Sequence, residues 1–316
     1  MTVSQRHAKY ERLIERARAL EVATAAVAFP CDESSLRAAH EAQQSKLLHA
    51  ILVGPAKRIA EAARKAKIDI SGMEVVDTED DEAAAATQAV RLATEGRAQM
   101  LMKGSLHTDQ LMGAVVKREA GLRTRRRISH CFVMDVPAID RVVIVTDAAI
   151  NIFPTLEEKV DIVQNAIDLC HALGREEPLV AILSAMETVN PKVASTIEAA
   201  ALCKMADRGQ ITGGILDGPL ALDNAIDLAA ARLKKIHSPV AGKADVLVVP
   251  DLEAGNMLAK SLSFMAQADA AGIVLGARVP IILTSRADSV QTRLASCAVA
   301  CLVAAARRRD VLKAVA

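Results

Sequence analysis

The sequence predicts an α/β protein whose sheets are mainly parallel, and three observations point there. Short β-branched apolar runs alternate along the chain with single segments whose apolar residues recur at helical spacing, the pattern of repeated βα units. Val279 to Leu283 is one such run, opened by Pro280, and suits a strand buried on both faces. The chain is 52% apolar yet has no Trp, one Tyr and four Phe, so Ala, Val, Ile and Leu must form the core; Ala-rich helices packed closely on Val/Ile strands meet that requirement. At 316 residues a single core would be near its size limit, which favours two domains.

Taken in order, residues 4–20 read as a helix with Leu13, Ala17 and Leu20 on one face, and Val22 to Phe29 as a strand ended by Pro30. Ser34 or Ser35 opens the next helix. Strand 50–53 turns at Gly54-Pro55 into a helix reaching about Lys67, and Met73 to Val76 is a short strand. Thr78 starts a helix with Glu79, Asp80, Asp81 and Glu82 in its first turn, the favoured side of the helix dipole. Gln99 to Met102 is a strand, followed by a helix carrying Leu111 and Val115. Strands are expected at 131–134 and 142–145, and Thr155 with Glu158 forms a capping box for a helix carrying Val160, Val163, Ile167 and Cys170. Strand 179–183 precedes Asn190-Pro191, read as N-cap and first helical residue. Further strands fall at Gly213–Pro219, 246–249 and 272–275, and Asp223 begins a helix. After Val279–Leu283, Val290, Leu294, Cys297 and Cys301 keep helical spacing. A break at Pro137–Arg141 and a return near Gly276 place one domain at 1–137 completed by 277–316, and the other at 138–276.

Several functional classes are disfavoured. A net charge of +1 gives no global field for nucleic acid or an anionic membrane, so neither is expected as a partner. The six cysteines form no Cys-x-x-Cys pair; Cys297 and Cys301 read as small core residues, and a reduced, cytoplasmic protein is expected. The amphipathic N-terminus (Arg12, Glu15, Arg16, Arg18) does not read as a signal peptide, and the apolar run Leu294–Ala306 is too short to span a bilayer. The seven histidines show no metal-ligand spacing. Walker A, Gly-x-Gly-x-x-Gly and Gly-x-Ser-x-Gly motifs are also missing, so neither a metal nor a permanently bound cofactor is expected.

Ligands in open α/β sheets collect where strands end and helices begin. Lys103, Gly104, Ser105, His107 and Thr108 occupy one such turn: glycine permits close backbone approach and the helix start offers N–H groups to an anion. In the basic run Arg123–Arg127 one guanidinium could grip a phosphate bidentately, and the absence of interleaved aromatics argues against single-stranded nucleic acid. Polar turns follow the strands at Asp147–Asn151 and at Asp251, Glu253 and Asn256. Ser285, Arg286 and Asp288 form the last turn, with a competing reading as a capping box of Ser285 and Asp288. If the chain crosses twice between domains, the interdomain cleft is the expected active site.

Beyond this the residues carry a family likeness. The block Ser238-Pro-Val-Ala-Gly-Lys-Ala-Asp-Val-Leu-Val-Val-Pro-Asp-Leu-Glu-Ala-Gly-Asn256 resembles the phosphate acetyltransferase and phosphate butyryltransferase family. So do Asp217-Gly218-Pro219-Leu220, Thr146-Asp147-Ala148-Ala149-Ile150-Asn151 and Ser285-Arg286, in order, from about Met100 onward. The Ser-Arg-Ala-Asp-Ser ending is more like the butyryltransferase branch, or the acyltransferase half fused to enoyl-CoA hydratases. The resemblance implies a two-domain fold like the isocitrate and isopropylmalate dehydrogenases, and a homodimer, as family members form. It implies the reversible conversion of acyl-CoA and phosphate into acyl phosphate and coenzyme A, by direct thiolate attack in a ternary complex. It gives Ser285 a hydrogen bond to the reacting group and Arg286 the acyl phosphate, matches Arg127 to a family arginine, and adds Asp147, Asn151, Asp251, Glu253 and Asn256 to the substrate-binding set.

Two positions depart from the family. The acetyltransferases carry their proposed base, an aspartate, where this chain has about Thr292, which leaves Asp288 as the nearest carboxylate. A family arginine in the helix after the Gly104 turn is matched by Met112. The competing expectation is therefore a non-catalytic acyl-CoA-binding regulatory homologue, of the kind found fused to malic enzymes.

Overall fold

A computed structural model describes residues 8–283 and 288–315, with side chains to residue 309. Two compact units emerge: Tyr10–Arg126 with Ala271–Ala316, here the terminal unit, and Arg127–Ala270 with Met1–Lys9, the central unit.

The terminal unit opens, from Tyr10 on, with α1 (Ala8–Arg18), whose Tyr10, Leu13, Ile14 and Ala17 are buried. It continues through β1 (Ala23–Ala28), α2 (Glu33–Gln44), β2 (Leu48–Gly54), α3 (Ala56–Ala66), β3 (Glu74–Asp77), α4 (Glu82–Thr94), β4 (Met100–Lys103) and α5 (Thr108–Val116). These are the expected βα units. β1 pairs in parallel with β2 on one side and β4 on the other, and β2 with β3. Small residues contribute to close packing: β1 reads Ala-Thr-Ala-Ala-Val-Ala and is almost wholly buried, and Ala38 and Ala39 of α2 and Ala85, Ala86 and Ala89 of α4 are buried too.

In the central unit the chain runs through β5 (Ser129–Asp135), β6 (Val143–Thr146), α6 (Leu156–Ala172), β7 (Leu179–Leu183), α7 (Ala194–Asp207), β8 (Ile215–Leu220), the short α8 (Leu222–Ile226) and α9 (Leu228–Leu233), β9 (Val246–Val248) and α10 (Leu252–Met265). The strand order is β5-β6-β9-β7-β8. Only β5 with β6 is antiparallel; the other pairs are parallel. Met134, Val143, Val145, Ala181, Leu220, Leu247 and Val249 belong to one buried cluster. Lys159 of α6, 5% exposed, is neutralised by Glu198 of α7.

β10 (Asp269–Leu275) and β11 (Ile281–Ile282) return the chain to the terminal unit. β11 lies parallel to β4 and antiparallel to β10. Within the last helix, α11 (Val290–Val315), the stretch Val290–Arg309 is long and apolar enough to cross a membrane by length and composition, but 78% of its most apolar window is buried within the protein. Cys297 and Cys301 are buried in it, as expected of small core residues.

Four helix starts differ from the sequence expectation. α2 is capped by Asp32, whose carboxylate accepts from the Ser35 N–H at 2.8 Å, instead of by a serine. α4 begins at Glu82 with Asp81 as cap, its carboxylate accepting from the Ala84 N–H at 2.7 Å, while Thr78 sits in the preceding turn with its N–H on Gly54 O and its hydroxyl on Glu79 O. α7 begins at Ala194: Asn190 accepts from the Lys192 and Val193 N–H groups and closes a turn around Pro191. α11 begins at Val290, with the Ser289 hydroxyl accepting from the Thr292 N–H at 3.1 Å. Of the expected capping box, Ser285 lies outside the described residues and Asp288 precedes the first turn of α11.

Candidate active site

In the terminal unit, the turn from β4 to α5 is bound tightly to the end of β1. The Gly104 N–H donates to Ala28 O and the Ser105 N–H to Phe29 O, each at 2.9 Å. The Ser105 hydroxyl donates to Phe29 O at 2.7 Å and accepts from the Cys31 N–H at 3.1 Å. A Cβ on Gly104 would stand 2.2 Å from Ala28 O, so glycine is demanded here by the neighbouring strand. Lys103 Nζ donates to Gly104 O at 3.3 Å. At the start of α5, where an anion was expected, the His107 N–H already donates to the Glu82 carboxylate at 2.9 Å. The side chains of His107 and Thr108 are exposed.

The link into α11 carries Asp288, whose carbonyl accepts from Arg293 Nη1 at 2.7 Å. Arg293 is 8% exposed, pairs with Glu41 of α2 at 3.3 Å, and leaves its Nε buried without a partner. Thr292, at the place of the family aspartate, is buried, and its hydroxyl accepts from the Ser289 hydroxyl at 3.0 Å. Ser285 and Arg286 lie outside the described residues.

The central unit brings Arg127, Asp147 and Asn151 together. Asp147 enters its turn through a cis peptide bond from Thr146. Its Oδ1 accepts from the Ala149 and Ile150 N–H groups, and its Oδ2 from the His130 N–H and from Asn151 Nδ2. Asn151 Oδ1 in turn accepts from Arg127 Nε at 2.7 Å. Arg127 Nη1 meets Glu158 Oε1 at 2.9 Å, and the guanidinium stays half exposed. Beneath it, the His130 imidazole stacks edge-on against Phe132 with ring centroids 4.4 Å apart. Burial pulls its pKa down to about 4, against the opposing pull of Asp147, so the ring is neutral at pH 7.

The start of α10 packs on the same turn. Asp251 caps the helix through the Ala254 N–H, and Asn256 Nδ2 donates to Ala148 O at 3.3 Å. A Cβ on Gly255 would stand 2.7 Å from Asp147 O, so this glycine also serves close packing. Glu253 is exposed in the first turn. Sequence reasoning missed His130, Glu158 as an arginine partner, and Arg293 with Glu41. A histidine inside an apolar strand and an arginine inside an apolar helix were the signals available.

Burial raises the thiol pKa of Cys31 to about 11 and of Cys131, Cys203 and Cys301 to about 12, and pushes Cys170 and Cys297 up as well. All six thiols are therefore protonated at neutral pH. Among the described residues no three His, Cys, Asp or Glu side chains converge on a metal-sized site.

Comparison with known proteins adds the rest. Residues 9–87 and 83–301 match the family model described as phosphate acetyl/butaryl transferase. The chain is 64% identical over 307 residues to a phosphate acetyltransferase of Rhizobium meliloti, covering 97% of each protein. It is 43% identical over 296 residues to a phosphate butyryltransferase of Clostridium beijerinckii, covering 94% of this chain and 98% of that one. The crystal structure of a branched-chain phosphotransacylase from Enterococcus faecalis matches with a TM-score of 0.79 at 32% identity, over 90% of this chain and 99% of the other.

Proposed function

The chain belongs to the phosphate acetyl/butaryl transferase family and is a phosphate acyltransferase, and we propose that its acyl group is acetyl, carried between coenzyme A and inorganic phosphate. The observation that carries the choice of acetyl is the 64% identity, over nearly the whole of both chains, to a phosphate acetyltransferase. No cofactor enters this reading; coenzyme A, phosphate, acyl-CoA and acyl phosphate are the substrates and products.

The reaction is written as direct transfer. A base takes the proton of the coenzyme A thiol, the thiolate attacks the acyl carbonyl of acyl phosphate, and the carbon–oxygen bond to phosphate breaks as the thioester forms. The released phosphate leaves with the bond's electron pair and accepts a proton. Burial raises the thiol pKa values and so disfavours the thiolate that a cysteine-bound acyl group would need. Arg286 is assigned the acyl phosphate, Ser285 a hydrogen bond to the developing oxyanion, and Asp288 the role of base. Asp288 suits that role better outside the helix cap than within it. Arg127, half exposed beside a buried network, is assigned a substrate phosphate.

The chain is further proposed to act in the cytoplasm as a homodimer. Free cysteines fit a reducing compartment, and Met257, Phe264 and Met265 give α10 an exposed apolar face suited to a second copy. Light scattering that found only monomer at micromolar concentration would remove the dimer. The deciding assay for function is phosphate-dependent release of free thiol from a panel of acyl-CoAs, with acetyl-CoA expected to give the highest kcat/KM. Faster turnover of butyryl-CoA would overturn the choice of acetyl, and no release from any acyl-CoA would overturn the activity.

A further inference from the structure

We propose that Asn151 is a positioning residue: buried beneath Arg127, it fixes the guanidinium so that one free nitrogen meets a substrate phosphate. The inference rests on the assignment of Arg127 to such a phosphate made above. Asn151 is 2% exposed and Asp147 3%, so neither presents a polar surface to a substrate.

Every polar atom of the Asn151 carboxamide is used. Nδ2 donates to Ile128 O at 2.9 Å and to Asp147 Oδ2 at 2.5 Å. Both partners only accept, so the NH2 must face them and Oδ1 must face Arg127 Nε. Asp147 is locked in turn by three backbone N–H groups. It thereby sets which way the amide of Asn151 points.

A second grip comes from the opposite side. Glu158 Oε1 holds Arg127 Nη1, while Glu158 Oε2 accepts from the Thr155 N–H in the capping box that starts α6. The backbone of Arg127 is fastened as well: its N–H donates to Asp161 Oδ2 at 2.8 Å and its carbonyl accepts from Asn165 Nδ2 at 2.9 Å. Two nitrogens held by two separate elements fix both the place and the plane of the guanidinium. Nη2 has no partner among the described residues. A long side chain that is normally mobile is therefore immobilised before substrate arrives, and the ordering cost of binding falls.

The phosphate could belong to coenzyme A or to the acyl phosphate and inorganic phosphate pair, and separate KM measurements distinguish them. Arg127→Ala should raise one of these KM values about tenfold or more, with a smaller change in kcat. Asn151→Ala should raise the same KM, and not the other, by about tenfold. The double variant should be no worse than Arg127→Ala alone, because Asn151 acts through the arginine. Multiplying effects in the double variant, or a lowered melting temperature with KM unchanged, would overturn the positioning role. Unchanged KM values in Arg127→Ala would overturn the phosphate assignment itself, and the positioning role with it. Should Asn151→Ala fail to fold, Glu158→Ala tests the other grip by the same cycle, and there too independence from Arg127 overturns the proposal.

Discussion

Replacing Gly104 by alanine separates two uses of a glycine at the end of a strand. If the residue is there to let a ligand approach, Gly104→Ala should weaken binding and spare stability. The structure demands the opposite. The added Cβ would lie 2.2 Å from Ala28 O, 2.6 Å from Phe29 O and 2.7 Å from the Phe29 carbonyl carbon, all backbone atoms that cannot rotate away. Reaching even 3.0 Å from Ala28 O requires the two chains to part by about 0.8 Å, and the 2.9 Å Gly104 N–H to Ala28 O bond would stretch beyond hydrogen-bonding range. Overpacking costs about 1–3 kcal/mol, and a lost bond that leaves a buried carbonyl unpaired costs about 1–3 kcal/mol more. The expected loss is about 2–6 kcal/mol, or a melting temperature lowered by roughly 4–24 °C at about 2–4 °C per kcal/mol. Urea and thermal unfolding of purified wild type and variant, followed by circular dichroism, measure this. A loss below about 1 kcal/mol together with a raised KM would refute the packing argument and return Gly104 to the binding site.

Three further outcomes are expected. Arg286→Gln should sharply reduce turnover at an unchanged melting temperature, and unchanged kinetics with a lowered melting temperature would mark the residue as structural. Asp288→Asn should cut kcat roughly 100-fold or more, whereas Ser289→Ala, which removes the α11 cap, should cost about 1 kcal/mol of stability; near-normal turnover in Asp288→Asn would end its role as base. Because the folded pKa of His130, about 4, lies below its ordinary 6.5, the unfolded chain binds a proton between those values that the folded chain refuses. This contribution is constant above pH 6.5 and falls as pH drops toward 4, by roughly 3 kcal/mol in all. His130→Gln should flatten that part of the stability profile in urea titrations at pH 7 and pH 5, and an equally steep profile in the variant would refute the assignment.

Periodic burial was legible in the sequence and local polar geometry was not. Strand 179–183 and the capping box of Thr155 and Glu158 occur where the residues predicted them, because alternation, helical spacing and a reciprocal pair each leave few alternatives. Thr78 and Asn190 were read as helix starts on the same side-chain chemistry, but Thr and Asn satisfy turn amides as readily as helix amides. Past Thr78 the chain offers a second capping side chain, Asp81, and that is the one which takes the helix start. The antiparallel pairing of β5 with β6 and of β10 with β11 was equally hidden, since neither strand's composition states its direction.

The same ambiguity limits any reading of an anion site from a glycine, a serine and a helix start. In the β4–α5 turn those groups are consumed internally: Gly104 and Ser105 by the end of β1, and the His107 N–H by Glu82. An arginine is harder to exhaust. Its five N–H donors exceed what a single neighbour can accept, so protein partners can fix it and still leave a donor over. Arg127 has that form, with Asn151 on Nε and Glu158 on Nη1. Those partners stand 24 and 31 residues further along the chain, so only the folded protein tells this guanidinium from the other three arginines of its basic run. Asn151 and Glu158 are each fully engaged in holding the arginine, Asn151 through Nε and Glu158 through Nη1 and the Thr155 N–H, so removing either should be read through Arg127 and not as the loss of a separate contact.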